Sequence, residues 1–155
     1  MPVPPVPSGY HSLTPHLICD GAKRAIDWYR KVFAAQVRMC MDQPDGRVGH
    51  AELQLGDSVL MLADEFPDLG VRAPKAYGGS PASLMLYVPD VDTVFARALA
   101  NGARQDRALQ NQFYGDRTGT VIDPFGHKWT IATHIEDVSP QEMERRAAKE
   151  KSGSA

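Results

Sequence analysis

The chain is poor in cysteine, nearly balanced in charge, and without any long apolar run. Its two cysteines, Cys19 and Cys40, fall in expected strands and match neither a disulfide framework nor a metal-ligand spacing. A chain of this length buries roughly 70% of the surface that its unfolded form exposes. No disulfide is needed for stability, and a reducing cytoplasm is the expected setting. No stretch is apolar over a membrane-spanning length, and nothing resembles a signal peptide. With 17 basic and 19 acidic side chains the formal net charge is -2. That leaves no electrostatic footprint for nucleic acid, so the expected partner is a small molecule or another protein. Common catalytic signatures are missing too. There is no Ser-His-Asp order and no cysteine set up as a nucleophile. Neither Gly46 nor Gly78-Gly79 lies between a strand and a helix, as a phosphate-cradling loop requires.

What is present is a repeat. A strand, an acidic cap, an amphipathic helix and a small-residue stop run from His16-Leu17-Ile18-Cys19-Asp20 to Ala35. The same order returns from Leu84-Met85-Leu86-Tyr87-Val88 through Asp90 to Ala103, and such repetition constrains a fold before propensity does. Ahead of the first copy, Met1 to Ser8 alternates proline with valine. This removes backbone donors, and residues 1–12 read as a flexible, extended arm. Leu13 to Cys19 reads as the first strand. Asp20 then caps a helix whose apolar positions Ala22, Ala25, Ile26, Tyr29, Val32 and Phe33 follow the helical period. Three extended segments complete this module: Val37 to Asp42, Val48 to Leu55 after Pro44-Asp45-Gly46, and Ser58 to Ala63 after Gly56-Asp57.

Residues 67–81, rich in proline and glycine, form a linker long enough to be a mobile loop over a site. The second module opens with Leu84 to Val88. Its helix carries Val91, Val94, Phe95, Ala98 and Leu99 on one face and stops at Asn101-Gly102. An ill-defined stretch around Leu109 to Tyr114 precedes strands at Thr118 to Ile122 and Lys128 to His134, joined by the Asp123-Pro124-Phe125-Gly126 turn. Ser139-Pro140-Gln141-Glu142 combines a cap, a first-turn proline and a capping-box glutamate. A polar helix and tail over 139–155 follow, with too little apolar surface for the core. The organisation expected is α+β: one domain over 13–138, built from βαβββ modules at 13–66 and 82–138 whose curved sheets form a cup.

Alternation assigns each strand a helix-facing and an outward side. Leu13, Leu17, Cys19, Ala51, Leu53, Leu55, Leu60, Leu62, Leu84, Leu86 and Val88 suit packing under the helices. The opposite side carries Thr14, His16, Ile18, His50, Glu52, Gln54, Val59, Met61, Ala63, Ser83, Met85, Tyr87, Thr130, Ala132 and His134. Polar groups set among adaptable methionines and an aromatic suit a small-molecule pocket better than a bare wet face.

Five segments carry a resemblance: Ala25-Ile26-Asp27-Trp28-Tyr29, His50-Ala51-Glu52-Leu53, Asp57 to Glu65, Phe113-Tyr114-Gly115-Asp116-Arg117, and Asp123-Pro124-Phe125-Gly126-His127-Lys128-Trp129. Over Leu13 to Val138 the chain resembles the vicinal oxygen chelate superfamily, most of all its PhnB-like branch within the glyoxalase, bleomycin-resistance and ring-cleaving dioxygenase group. The resemblance implies paired modules that curl into a cup, in a homodimer with its cups at or near the interface. It does not fix a reaction. Nor do the residues support the methyltransferase label some PhnB-like proteins carry, since no glycine loop for such a cofactor is present.

Catalytic members of this superfamily hold a divalent metal with histidines and glutamates on the first and last strands of the two modules. Alignment by helices and turns places Thr14 or His16 at the first of these positions, then Met61, Ser83 and Thr130. A thioether and hydroxyls hold zinc, nickel or iron weakly, so no cofactor is expected. The function expected is small-molecule binding or sequestration, with His16, His50, Glu52, Met61, Met85, Tyr87, Tyr114, Arg117 and Thr130 as ligand contacts. Arg117 would grip a carboxylate or phosphate, or else pair with Asp116. Glu52 is the best candidate general base. The alternative is a lyase, isomerase or dioxygenase whose rearranged divalent metal site uses His16, His50, Glu52 and His134. His127, at a turn tip, and His11, in the arm, are set aside.

Overall fold

The computed structural model describes residues 2–153. The first residue of the expected arm and the last two of the tail lie outside the described residues. The chain divides into two compact units, one running to Pro81 and taking in Pro124–His127, the other spanning Ala82–Asp123 and the chain from Lys128 onward. Each contains one open four-stranded sheet, so the architecture is α+β with two βαβββ modules, as the repeat implied.

In the first unit the elements are β1 (His16–Cys19), α1 (Ala22–Phe33), β2 (Gln36–Asp42), β3 (Val48–Leu55) and β4 (Ser58–Asp64). The sheet order is β1-β4-β3-β2, with β1 parallel to β4 and the other pairs antiparallel. α1 buries Ala22, Ala25, Ile26, Trp28, Tyr29, Val32 and Phe33, which recur every three or four residues and so form one apolar stripe. Under it lie the buried Cys19, Ala51, Leu53, Leu60 and Leu62. Leu13 does not join them. The strand begins only at His16, after Pro15, and Leu13 stands 87% exposed.

Asp20 is not the cap of α1. The N-cap residue is Gly21, in a left-handed conformation without a side-chain cap of its own. The buried Asp64 at the end of β4 supplies the acceptor instead, its Oδ1 taking the Gly21 and Ala22 amides at 3.1 and 2.8 Å while its Oδ2 takes the Val48 amide at 2.7 Å. Residues between the modules form 3-10 turns at Pro67–Leu69 and Pro74–Tyr77 and a bridge between Phe66 and Val71. The Pro124–His127 turn is built into this same unit. Phe125 packs against Tyr29 with ring centroids 6.4 Å apart, and His127, set aside as a turn-tip residue, is buried with Nε2 donating to the Ile18 carbonyl at 2.8 Å.

The second unit repeats the pattern with β5 (Ser83–Tyr87), α2 (Val91–Ala100), β6 (Arg104–Asn111), β7 (Asp116–Ile122) and β8 (Lys128–His134), in the order β5-β8-β7-β6. The stretch left ill-defined by its sequence is the end of β6 and the turn that follows. Asp90 caps α2 as expected, accepting the Thr93 amide at 3.2 Å. The helix packs Val91, Phe95 and Ala98 inward. Gly119 on β7 makes room for them, because an added Cβ would sit 2.6 Å from the Phe95 ring. α3 (Pro140–Gly153) buries none of its residues and starts with Ser139 Oγ accepting the Glu142 amide at 3.2 Å. Arg145 and Arg146 hold the Glu142 carboxyl down at about 2.

Candidate functional site

Cross-strand register places His16 opposite Met61, Met61 opposite Glu52, and Glu52 opposite Met39. Partners directly opposite in a sheet share a face, so these four residues form one row on the side away from α1. His50 lies two residues along β3 and therefore on that same face, opposite Met41. The His16 and His50 rings stack with centroids 5.9 Å apart and an interplanar angle of 24°, and His50 Nε2 donates to Glu52 Oε2 at 2.9 Å. Burial first, and the neighbouring His50 second, push the His16 imidazole below its ordinary range. Glu52 is 8% exposed, and its Oε1 has no partner among the described residues.

Over this row lies a cavity of about 430 Å³, bounded on the sheet side by Thr14, Glu52 and Met61 and on the other by residues 5–7 and 10–12. The arm read as a flexible lead-in thus walls the cavity. One turn within the arm and two contacts to the rest of the unit hold it there. The Tyr10 amide donates back to the Pro7 carbonyl at 3.1 Å across Gly9, whose φ of +83° turns the chain. Arg38 on β2 sits over the Tyr10 ring at 4.9 Å, and His11 Nε2 donates to the Asp57 carbonyl at 3.1 Å. The arm residues of this lining, Tyr10, His11 and Ser12 among them, are the ones that the sequence reading missed. The only signal for them was an aromatic and an imidazole at the end of the proline run.

The other candidate residues belong to the second unit. Met85 and Tyr87 are exposed on β5, away from α2, as alternation required. The Tyr87 hydroxyl donates to Asp116 Oδ2 at 2.7 Å. His134 spans two carboxylates, from Nδ1 to Asp116 Oδ1 and from Nε2 to Asp137 Oδ1, both at 2.7 Å. With Asp137 first and Asp116 second, these hydrogen bonds raise the His134 pKa above its ordinary value, while Asp116 and burial raise that of Tyr87. Thr130 shares a 2.9 Å hydrogen bond with Thr120. Arg117 does not pair with Asp116. Its guanidinium forks onto Asp92 at 2.8 and 2.9 Å and reaches Asn111 at 3.2 Å, so its donors are engaged. Tyr114 packs edge-on against Phe113 at 5.3 Å.

The family model for the glyoxalase, bleomycin resistance protein and dioxygenase superfamily matches residues 11–131. The chain belongs to this superfamily. An uncharacterized protein of Mycobacterium bovis is 39% identical over 145 residues, a match that covers 92% of this chain and 95% of that one. Among solved structures, TioX from Micromonospora sp. ML1 is 27% identical with a TM-score of 0.62, covering 81% of this chain and 99% of its own. The PhnB protein of Bacillus cereus superposes with a TM-score of 0.61 at 20% identity, covering 79% and 99%.

The positions at which the superfamily resemblance implies a metal carry mostly weak ligands. Thr14 or His16 and Met61 stand at two of them in the first unit, and Ser83 and Thr130 at two in the second. Hydroxyls and a thioether are poor ligands for a divalent ion at neutral pH, and the Thr130 hydroxyl is already bonded to Thr120. The rearranged set fares no better. His50 Nε2 is bonded to Glu52, and both His134 nitrogens are held by carboxylates. Among the described residues no three His, Cys, Asp or Glu side chains are placed to hold a metal ion.

Proposed function

We propose that the protein binds a small organic molecule on the sheet face of its first unit and sequesters it, without a divalent metal. The observation that carries this reading is the cavity of about 430 Å³ above Glu52 and Met61, which is within the size range of small-molecule pockets. Its lining mixes a few polar groups with Met61, Val6 and proline rings, the composition that orients a ligand without transforming it. The same reading makes the protein a cytoplasmic homodimer. That neither Cys19 nor Cys40 is in a disulfide supports the first part, and exposed Val37, Met39 and Met41 on the edge strand β2 support the second. Among the described residues no helix is long and apolar enough to cross a membrane.

The test is a thermal-shift and NMR fragment screen run beside elemental analysis of tag-free protein, reloaded with nickel, zinc, manganese or ferrous iron and desalted. Saturable binding that moves the Met61 methyl resonance, with only trace metal retained, is the expected result. The second reading, a metal-dependent lyase, isomerase or dioxygenase with Glu52 as base, is favoured by the gathering of His16, His50 and Glu52 on one face. Near-stoichiometric retained metal that Glu52→Ala abolishes would establish it and overturn the first.

A further inference from the structure

Resting on the binding reading above, we propose that the arm-walled cavity selects a small organic cation, a protonated amine on an apolar body, with the N-terminal arm supplying its outer wall. The one carboxylate among the described residues that line the cavity is an acceptor-only group. The Glu52 carboxylate is almost wholly buried and uses only Oε2, on His50. No buried side-chain oxygen among the described residues lacks a partner, so the second oxygen is the accessible one, and a cationic donor entering the cavity would meet a negative charge held in a largely buried side chain.

The arm adds acceptors of its own. Because His11 Nε2 faces the Asp57 carbonyl at 3.1 Å, that nitrogen carries the hydrogen, and in the neutral ring Nδ1 is then an acceptor. The Ser12 and Thr14 hydroxyls, which also line the cavity, can accept as well. Among the described residues no lysine or arginine lines the cavity. The nearby Arg38 guanidinium lies over the Tyr10 ring and donates from Nη1 to Gln54 Oε1 at 3.1 Å. An anionic ligand would therefore meet the Glu52 carboxylate without a lysine or arginine among the described lining residues to offset it. The rest of the wall is Val6, proline rings, Tyr10 and Met61, which suits an aliphatic or aromatic body.

Three probes of matched size decide the matter on the full chain at pH 7: 2-phenylethylamine, 2-phenylethanol and phenylacetate, each titrated while the methionine methyl and backbone amide spectra are recorded. The amine is expected to shift Met61, Tyr10 and His11, and to bind at least about tenfold more tightly than the alcohol, the scale of one charge-assisted hydrogen bond. Phenylacetate is expected to be the weakest. Glu52→Gln should weaken amine binding by about tenfold and leave the alcohol unchanged, whereas Tyr10→Ala should weaken both alike. Alcohol or carboxylate binding at Met61 as tightly as the amine overturns the cation assignment and leaves the binding reading standing. So does undiminished amine binding by Glu52→Gln. If no probe moves Met61 the assignment also falls, and the binding reading falls with it only when the fragment screen is empty too. The probe comparison on the unaltered protein decides even where a substituted chain fails to fold.

Discussion

Replacing Asp64 with asparagine probes what joins the first helix to its sheet. Its carboxylate, 9% exposed, accepts from Gly21 and Ala22 through Oδ1 and from Val48 through Oδ2. Two of these donors are unpaired amides at the start of α1, where a helix has no internal acceptors. In asparagine the single oxygen can keep the helix amides, but the side-chain NH2 then faces the Val48 N–H, donor against donor. Flipping the amide moves the loss to the helix. One buried donor left unsatisfied costs about 1–3 kcal/mol, and losing a negative charge beside a helix N-terminus adds about 0.3–1 kcal/mol. The expected loss is about 1.5–4 kcal/mol, or roughly 3–15 °C in Tm for a chain of this size. Urea unfolding at neutral pH gives the free energy, and amide exchange should show Val48 or Ala22 losing protection. Asp20→Asn is the control, because Asp20 caps nothing, and should stay within about 0.5 kcal/mol. Equal losses from the two substitutions, or a loss below about 0.5 kcal/mol from Asp64→Asn, would refute the nonlocal cap.

Two further predictions follow from backbone conformation and from charge. Gly115 has a φ of +100° and an added Cβ would collide with the Glu136 carbonyl, whereas Gly46, at φ +88°, has nothing within 4 Å. In thermal unfolding, Gly115→Ala should therefore cost more than Gly46→Ala, which bears only the left-handed penalty of about 1–2 kcal/mol. Equal effects would mean that the Glu136 carbonyl yields freely. The histidines should titrate on opposite sides of 6.5 in ring-nitrogen NMR, His134 above it and His16 below it. With its folded pKa raised, His134 stabilises fully below 6.5 and loses that contribution as pH rises through the folded value, so His134→Gln should flatten the alkaline side of the stability profile. His16 acts in the reverse sense, losing stability as pH falls below 6.5, and His16→Asn should remove that acid-side loss. A shared midpoint for the two rings would sink both assignments.

Features set by neighbouring residues were legible in the sequence, and features set by distant ones were not. The caps of α2 and α3 lie within three residues of the amides they satisfy, as Asp90 to Thr93 and Ser139 to Glu142, and both were readable. The cap of α1 comes from 42 residues away, and no local pattern points to Asp64. Alternation sorted Leu84 and Leu86 from Met85 and Tyr87 correctly, because period two is a property of the strand itself. It failed at Leu13, since alternation does not say where a strand begins. The Asp116–Arg117 pair failed for a related reason. Read as a loop, neighbours can meet. β7 starts at Asp116, and successive strand residues point to opposite faces, so one turns to Tyr87 and His134 and the other to Asp92.

The candidate site divides along the same line, and the division bears on binding against chemistry. His16, Met61 and Glu52 share a face by register alone, so sequence could group them. Composition gave the arm an extended shape but could not say which surface that shape rests on, and Tyr10 and His11 were therefore invisible. Acid–base chemistry needs titratable groups with a proton to give or a lone pair free to take one near the substrate. In the second unit Tyr87, Asp116 and His134 spend their hydrogen-bonding atoms on one another and on Asp137, and Arg117 spends its own on Asp92 and Asn111. In the first unit His50 Nε2 is bonded to Glu52, and that carboxylate lines the cavity beside the Met61 thioether and a wall of proline, tyrosine and histidine. Such a lining can hold a donor in place through Glu52, and it also carries a titratable imidazole, His11 on the arm, so the ligand and metal-retention tests are what separate binding from chemistry.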